Sequence, residues 1–171
     1  MRLLALVLLL GPLAGTAAAQ PAADVTLPSI ELSTSLSFDF PRADASSTGT
    51  LAGGVLGVHR NLGGHLAVTA EVAGTAHHVT VMAGPRVSTG FYRDGGAIPG
   101  RFFLEALAGI EQRPDGRSGA MLVGGGADVL LGPPGISLHW ALDYLFRPGD
   151  SAQYAGGRFA VGLVLGPHKA H

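Results

Sequence analysis

Apolar and polar side chains alternate one by one along residues 136–146 of this chain. Large apolar residues occupy every second position, and smaller or polar residues fill the positions between them. Side chains of a β-strand point alternately to opposite faces, so the segment predicts a strand with one apolar and one largely polar face. The period recurs along the chain, although the second strand is glycine-rich and its facing is ambiguous. The predicted strands are residues 30–40, 50–60, 65–75, 79–89, 101–112, 119–131, 136–146 and 155–165.

The number and length of these strands suggest a closed barrel. Each is close to the roughly 9–11 residues that a tilted strand needs to cross a bilayer. An even antiparallel series can close on itself and so pair every backbone N–H and C=O group. The sequence thus predicts an all-β fold, an eight-stranded antiparallel up-and-down transmembrane β-barrel. Pro85 lies inside the fourth strand without an N–H for the ladder, and a local bulge would accommodate it.

Alternation alone leaves the direction of the apolar face open. A lipocalin-like soluble barrel turns that face inwards, whereas a membrane barrel turns it outwards. Lysine, which soluble sheets use to protect edge strands, occurs only at Lys169. The mean hydropathy is +0.35, which also favours the membrane facing. Aromatic residues near strand ends, where a membrane interface would lie, are Phe38, Phe40, Trp140, Tyr144 and Phe146.

With the apolar face outwards, the polar face carries charges of both signs into the lumen. An eight-stranded barrel has room only for its own side chains, so no open pore is expected. Buried charges need partners, so the arginines are predicted to pair with carboxylates. Asp39 and His139 lie on the same polar faces. The predicted structural network consists of Glu31, Glu71, Arg86, Glu105, Asp128, Asp143 and Arg158.

Residues 1–19 have the layout of a cleaved signal peptide. Arg2 precedes an apolar run over residues 3–10, and alanines at 17–19 provide an A-x-A cleavage site. The run is shorter than the roughly 20 residues of a membrane-spanning helix. We therefore divide the chain into a signal peptide (1–19), a lead-in segment (20–29), a barrel domain (30–166) and a C-terminal tail (167–171). There is no cysteine, which excludes a lipidated N-terminus and a disulfide framework.

The histidines do not form a metal-binding motif. His77 and His78 are adjacent and point to opposite sides of a strand. His59 and His65 flank a turn, but two ligands rarely suffice for a metal site. We interpret the histidines as loop and interface residues, and we predict no metal and no cofactor.

Catalytic and nucleic-acid functions have little support in the sequence. Ser137, His139 and Asp143 share one strand face, but residues two apart on a strand are separated by about 6.6 Å and form no tight triad. The net charge is −1 and no basic patch occurs, so nucleic acid is not an expected partner. We predict no catalytic residue.

Five segments resemble the OmpA-like barrels of the small outer-membrane β-barrel family. They are AGPRVS (83–88), FLEALAG (103–109), GGGADV (124–129), LDYLF (142–146) and GRFAVGLVL (157–165). The resemblance covers about residues 30–166 in organisation. It implies a barrel surrounded by outer-membrane lipid and inserted by the outer-membrane assembly machinery, and it transfers no catalytic set. Family members usually end on an aromatic residue that serves insertion, whereas the last strand here ends at Leu165.

Three functions are consistent with this pattern. The first is an outer-membrane barrel with a structural or surface-interaction role, whose short loops at 41–49, 76–78, 113–118 and 147–154 lie at one end. The second is a soluble, secreted lipocalin-like barrel that carries an apolar ligand. The third, with the least support, is a lipid-modifying outer-membrane enzyme.

Overall fold

The strands account for most of the described chain. The computed structural model describes residues 25–26, 29–41, 50–63, 65–89, 100–131, 135–148, 156–166 and 169–170. The signal peptide predicted over residues 1–19 lies outside these ranges. The strands are β1 (Val25–Thr26), β2 (Ile30–Pro41), β3 (Leu51–Gly63), β4 (Leu66–Thr75), β5 (Val79–Ser88), β6 (Gly100–Arg113), β7 (Gly116–Leu130), β8 (Ile136–Phe146), β9 (Gly156–Leu165) and β10 (Lys169–Ala170).

Strands β2 to β9 form a closed barrel. Each strand is antiparallel to its neighbours in chain order, and β9 pairs with β2 to close the sheet. The predicted fold class, an all-β antiparallel up-and-down barrel of eight strands, is confirmed. Strand β8 has the predicted bounds, and the others begin and end close to theirs. The described part of the chain contains no helix long and apolar enough to cross a membrane.

The barrel has two distinct ends. Because successive strands alternate in direction, β2 begins and β9 ends at the same end, which we call the terminal end. The opposite end, which we call the loop end, carries the connections after β2, β4, β6 and β8. The loop predicted over 113–118 is wrong in its extent: Arg113 pairs with Gly116, so β6 and β7 are joined by a tight two-residue turn.

A short second sheet joins the two segments that flank the barrel. Strands β1 and β10 are antiparallel, with Val25 opposite Ala170 and Thr26 opposite Lys169. From sequence, these residues are predicted to lie in the lead-in segment and the C-terminal tail, not in strands. Two paired residues are too few to show a period of two, so hydropathy could not predict this contact.

Pro85 is accommodated without a bulge. Ala83 pairs with Ala108 and Arg86 with Glu105, so the register of β5 on β6 is the same on both sides of the proline. The two positions between these pairs are missing from that ladder, as expected for a residue that has no N–H. The Pro85 ring itself is exposed on the outer face.

The apolar faces point outwards and the polar faces point inwards. Burial alternates residue by residue along β8, and the large apolar side chains take the exposed positions. Leu56 and Leu104 are 65% and 71% exposed, whereas Glu111 and Asp128 are fully buried. The facing of β3, which the sequence left ambiguous, places His59 inside the barrel. An apolar exterior around a charged interior is the arrangement of a transmembrane β-barrel.

Lumen-facing glycines allow neighbouring strands to pass closely. A Cβ atom at Gly126 would collide with the backbone oxygen of Trp140 and would lie 2.8 Å from the ring of Phe103. We therefore expect Gly126→Ala to reduce sharply the amount of barrel that resists dodecyl sulfate before boiling. Gly54→Ala is the matched control, since the nearest atom to a Cβ there is 3.8 Å away. Equal yields from the two variants would contradict this account of the packing.

Candidate functional site: the charged interior

Asp128 is the centre of the charged cluster nearest the terminal end. Its Oδ2 accepts hydrogen bonds from Arg101 Nε at 2.7 Å and Arg86 Nη2 at 2.8 Å. Its Oδ1 accepts one from His139 Nδ1 at 2.6 Å. Arg101 also donates to Glu31 Oε2 at 2.8 Å, which ties β6 to β2. The register places Asp128, Arg101 and His139 directly opposite one another on β7, β6 and β8.

Aromatic stacking adds to this cluster. The guanidinium group of Arg86 lies 3.6 Å from the centre of the Phe103 ring. The same ring stacks on His139 with 5.2 Å between centroids and 9° between planes. Cation–π contact and the hydrogen bond to Asp128 therefore fix Arg86 from two directions.

His59 lies in the same interior region and not at the surface. Its Nδ1 is 3.0 Å from Thr69 Oγ1, and its Nε2 is 3.0 Å from Ser33 Oγ. Arg86 Nη1 lies 3.4 Å from the same Nδ1. Because Arg86 can only donate, Nδ1 is the acceptor and Nε2 carries the hydrogen. The interpretation of His59 as a loop or interface residue is wrong, because the ambiguous facing of its strand concealed its inward direction.

A second charged cluster occupies the middle of the barrel. Arg158 Nη1 donates to Glu71 Oε1 at 2.7 Å, and Arg158 Nε donates to Asp143 Oδ2 at 2.8 Å. One guanidinium group thus joins β9 to β8 and, across the lumen, to β4. Glu105 lies nearby on β6, 3.9 Å from Arg86.

An apolar layer of buried side chains follows the middle cluster towards the loop end, between Glu105 and Glu111 along β6. All of its side chains come from β5 to β8, and each is at most 8% exposed. Beyond them lies a further ionic cluster. The residues of the apolar layer are Met82, Leu107, Ala120, Leu122 and Leu145.

Glu111 organises the ionic cluster at the loop end. Both of its carboxylate oxygens accept hydrogen bonds from Arg147, and Arg113 Nε lies 3.4 Å from Oε1. His78, between β4 and β5, lies 3.2 Å from Asp39 on β2. Polar contacts therefore cross the lumen at this end also.

All the residues of the predicted lumen network lie inside the barrel. Each is at most 7% exposed and takes part in an ion pair with another interior residue. Arg101 also lies inside the barrel, although it was predicted only as the first residue of a strand and not as a member of the network. Arg101 lies two residues before Phe103 and four before Glu105, so its side chain points to the same face of the strand as theirs. Extending the alternation back to Arg101 would have placed it inside the barrel.

The predicted interface aromatics lie on the outer face. Tyr144 and Phe146 are 41% exposed, pack edge to face with centroids 4.4 Å apart, and lie near the loop end. Phe40 is also exposed there, and Phe38 is partly exposed. Trp140 is exposed on the outer face as well, but it lies towards the middle of β8.

The described interior offers neither a metal centre nor a catalytic triad. Within the described ranges, no group of three or more His, Asp or Glu residues is placed to hold a metal ion. His139 bonds to Asp128 on the next strand, and not to Asp143 on its own strand. Ser137 is fully buried, and its Oγ has no hydrogen-bond partner among the described residues.

Solved structures similar to this chain include natural and designed proteins. A protein from a study of de novo designed transmembrane β-barrels is 12% identical, with a TM-score of 0.48 over 83% of this chain and 98% of that chain. Ail, the attachment invasion locus protein of Yersinia pestis, is 14% identical, with a TM-score of 0.46 over 83% of this chain and 99% of that chain. In its complex with the heparin analogue sucrose octasulfate, Ail is 14% identical, with a TM-score of 0.45 over 80% of this chain and 95% of that chain. No protein-family model and no curated protein matches the chain.

Proposed function

We propose that the protein is a non-enzymatic outer-membrane β-barrel with a structural or surface-interaction role. The observation that carries this proposal is that apolar side chains lie outside and charged side chains inside, the reverse of a water-soluble protein. The exterior presents large apolar side chains from every barrel strand, while the ionised side chains pair in the interior. In water this arrangement would expose a continuous apolar surface, whereas in a bilayer it is the stable one.

The barrel is proposed to be closed to ions and solutes. Interior side chains form ionic clusters near both ends and in the middle, with an apolar layer between two of them. Eight strands leave no room beyond their own side chains. The ion pairs therefore serve to satisfy the interior and hold the strands in register.

The soluble carrier is the second hypothesis, and the geometry opposes it. A carrier of apolar ligands needs an apolar cavity, since ligand pockets are lined mainly by hydrophobic side chains. Here the interior positions near the terminal end and in the middle carry Arg86, Arg101, Arg158 and their carboxylate partners, all buried. An apolar ligand there would replace ion pairs that depend on each other.

Outer-membrane fractions, run on a gel before and after boiling, test the proposal. A closed membrane barrel resists dodecyl sulfate until it is heated, because its backbone hydrogen bonds are satisfied internally. We expect a detergent-extracted band whose mobility changes on boiling, and no stepwise conductance when the purified protein is added to planar bilayers. Recovery from the soluble periplasm would overturn the membrane proposal, and reproducible single-channel currents would overturn the closed barrel.

A further inference from the structure

Two arginines interrupt the apolar exterior of the barrel. Arg60 on β3 is exposed and shares the outer face with Val58, and Arg117 on β7 is exposed and shares the outer face with Met121. Every other arginine, aspartate and glutamate in the described barrel strands lies on an inner face. Within these strands the outer surface therefore carries two positive charges and no negative one.

The two arginines lie at opposite ends of the barrel. Arg60 is three residues from the end of β3 at the terminal end, and Arg117 is the second residue of β7 at the loop end. The row of paired residues that starts at Gly63, the last residue of β3, reaches β7 at Gly125, well before that strand ends at Leu130. Such rows therefore climb towards the loop end from β3 to β7.

The height between the arginines matches the thickness of a bilayer core. With the usual rise along a strand, strand spacing and barrel tilt, this register separates Arg60 from Arg117 by about 25–30 Å along the barrel axis. The apolar band of a transmembrane barrel is about 25 Å tall. One arginine therefore lies at each boundary of that band.

Arg117 is held in place with part of its guanidinium group free. Its Nε donates to Gln112 Oε1 at 3.3 Å, and Gln112 Nε2 donates to the backbone oxygens of Arg113 and Gly116. In the part of the chain that the structure describes, neither Nη group of Arg117 has a hydrogen-bond partner. An arginine with free N–H groups of this geometry can donate to two oxygens of one phosphate.

An aromatic pair marks the level just inside Arg117. Phe146 lies opposite Met121, four residues from Arg117 along β7 towards the middle of the barrel. Tyr144 packs against Phe146 on the same outer face. Aromatic residues concentrate at the boundary between hydrocarbon and headgroups. Arg117 lies beyond that boundary, at the level of the lipid phosphates.

We propose that Arg60 and Arg117 bind the phosphate groups of membrane lipids, one at each surface of the bilayer. The proposal rests on the membrane location proposed above and names the lipid chemistry that this exterior recognises. The described outer face offers no carboxylate to compete for either arginine. The aliphatic part of each side chain lies along apolar surface while the guanidinium group reaches the headgroups. The two contacts fix the depth of the barrel in the bilayer.

The test is urea unfolding of the refolded full chain in two kinds of vesicle, with Trp140 emission as the probe. One kind is phosphatidylglycerol, and the other is digalactosyldiacylglycerol, an uncharged lipid without phosphate, with the same acyl chains. We expect Arg60→Gln and Arg117→Gln each to lower the folding equilibrium constant about five-fold in phosphatidylglycerol. In the galactolipid each should stay within about two-fold of the wild type. The double variant should show the product of the two effects, because the sites are far apart.

Asp115→Asn is the matched control, since it also changes the charge by one unit, in the exposed turn near Arg117. We expect it to stay within about two-fold of the wild type in both lipids. A lipid-dependent effect of Asp115→Asn as large as that of Arg117→Gln would show a response to net charge alone and overturn the phosphate sites. Equal effects of the arginine variants in the two lipids would overturn them as well.

The source of the phosphate and the membrane location are tested separately. If inorganic phosphate added to galactolipid vesicles stabilises the wild type but not Arg117→Gln, the site binds a soluble anion and the lipid assignment is wrong. A chain that inserts into neither kind of vesicle would overturn the membrane location and this proposal together. A chain that inserts and changes mobility on boiling, without the lipid-dependent loss in the variants, would overturn only the phosphate sites.

Discussion

Replacing Asp128 with alanine is expected to destabilise the barrel by about 3–5 kcal/mol, the range for breaking a buried ion pair. The carboxylate accepts from Arg86, Arg101 and His139, and it is fully buried. Its removal takes one carboxylate partner from each of the two buried guanidinium groups, and Arg101 keeps only its contact with Glu31 among the carboxylates described above. Urea unfolding of the refolded protein in lipid vesicles measures the loss, with the emission of Trp140, the one tryptophan, as the probe.

Asp115→Ala is the matched control for this experiment. Asp115 lies exposed in the turn between β6 and β7, where an aspartate substitution removes no interior partner. Its effect should stay within about 0.5 kcal/mol. If both variants unfold at the same urea concentration, the interior cluster does not hold the barrel together, and the structural role assigned to it is incorrect.

Much of the fold follows from local alternation. Strand β8 was predicted at its observed bounds because large apolar residues mark every exposed position. Strand β3 is harder, since its glycines and alanine leave only a few side chains to define a face. The pairing of β1 with β10 depends on closure of the whole barrel, which brings the two ends of the chain together, and no local pattern encodes it.

Most members of the interior network were predicted from the alternation, but Arg101, His59 and the pairing of the charges were not. The alternation of side chains along each strand is enough to place Asp128 and Arg158 on inward faces. Their partners depend on the register between strands and on contacts across the lumen. Arg158 binds Glu71 on β4, which is far away in sequence, and the hydropathy pattern does not predict that contact. Similarly, Arg147 follows the end of β8, and only the folded barrel directs it to Glu111.

An arginine in place of Leu56 is expected to destabilise the membrane-inserted barrel by about 2–4 kcal/mol. Leu56 is 65% exposed near the middle of β3, opposite Val72 on β4 and Thr34 on β2. In a bilayer this position faces the hydrocarbon centre, where a guanidinium group loses its hydration. Urea unfolding in vesicles, with Trp140 as the probe, measures the change.

Leu62→Arg makes the same chemical change six residues along the same strand. Leu62 is 55% exposed beside the turn at the terminal end, where the membrane interface is expected and the cost falls to about 0–1 kcal/mol. A soluble barrel would tolerate both arginines equally, because water surrounds both positions. The difference between the two variants therefore reports whether lipid surrounds the barrel, and equal stabilities would argue that the apolar exterior is not inserted in a membrane.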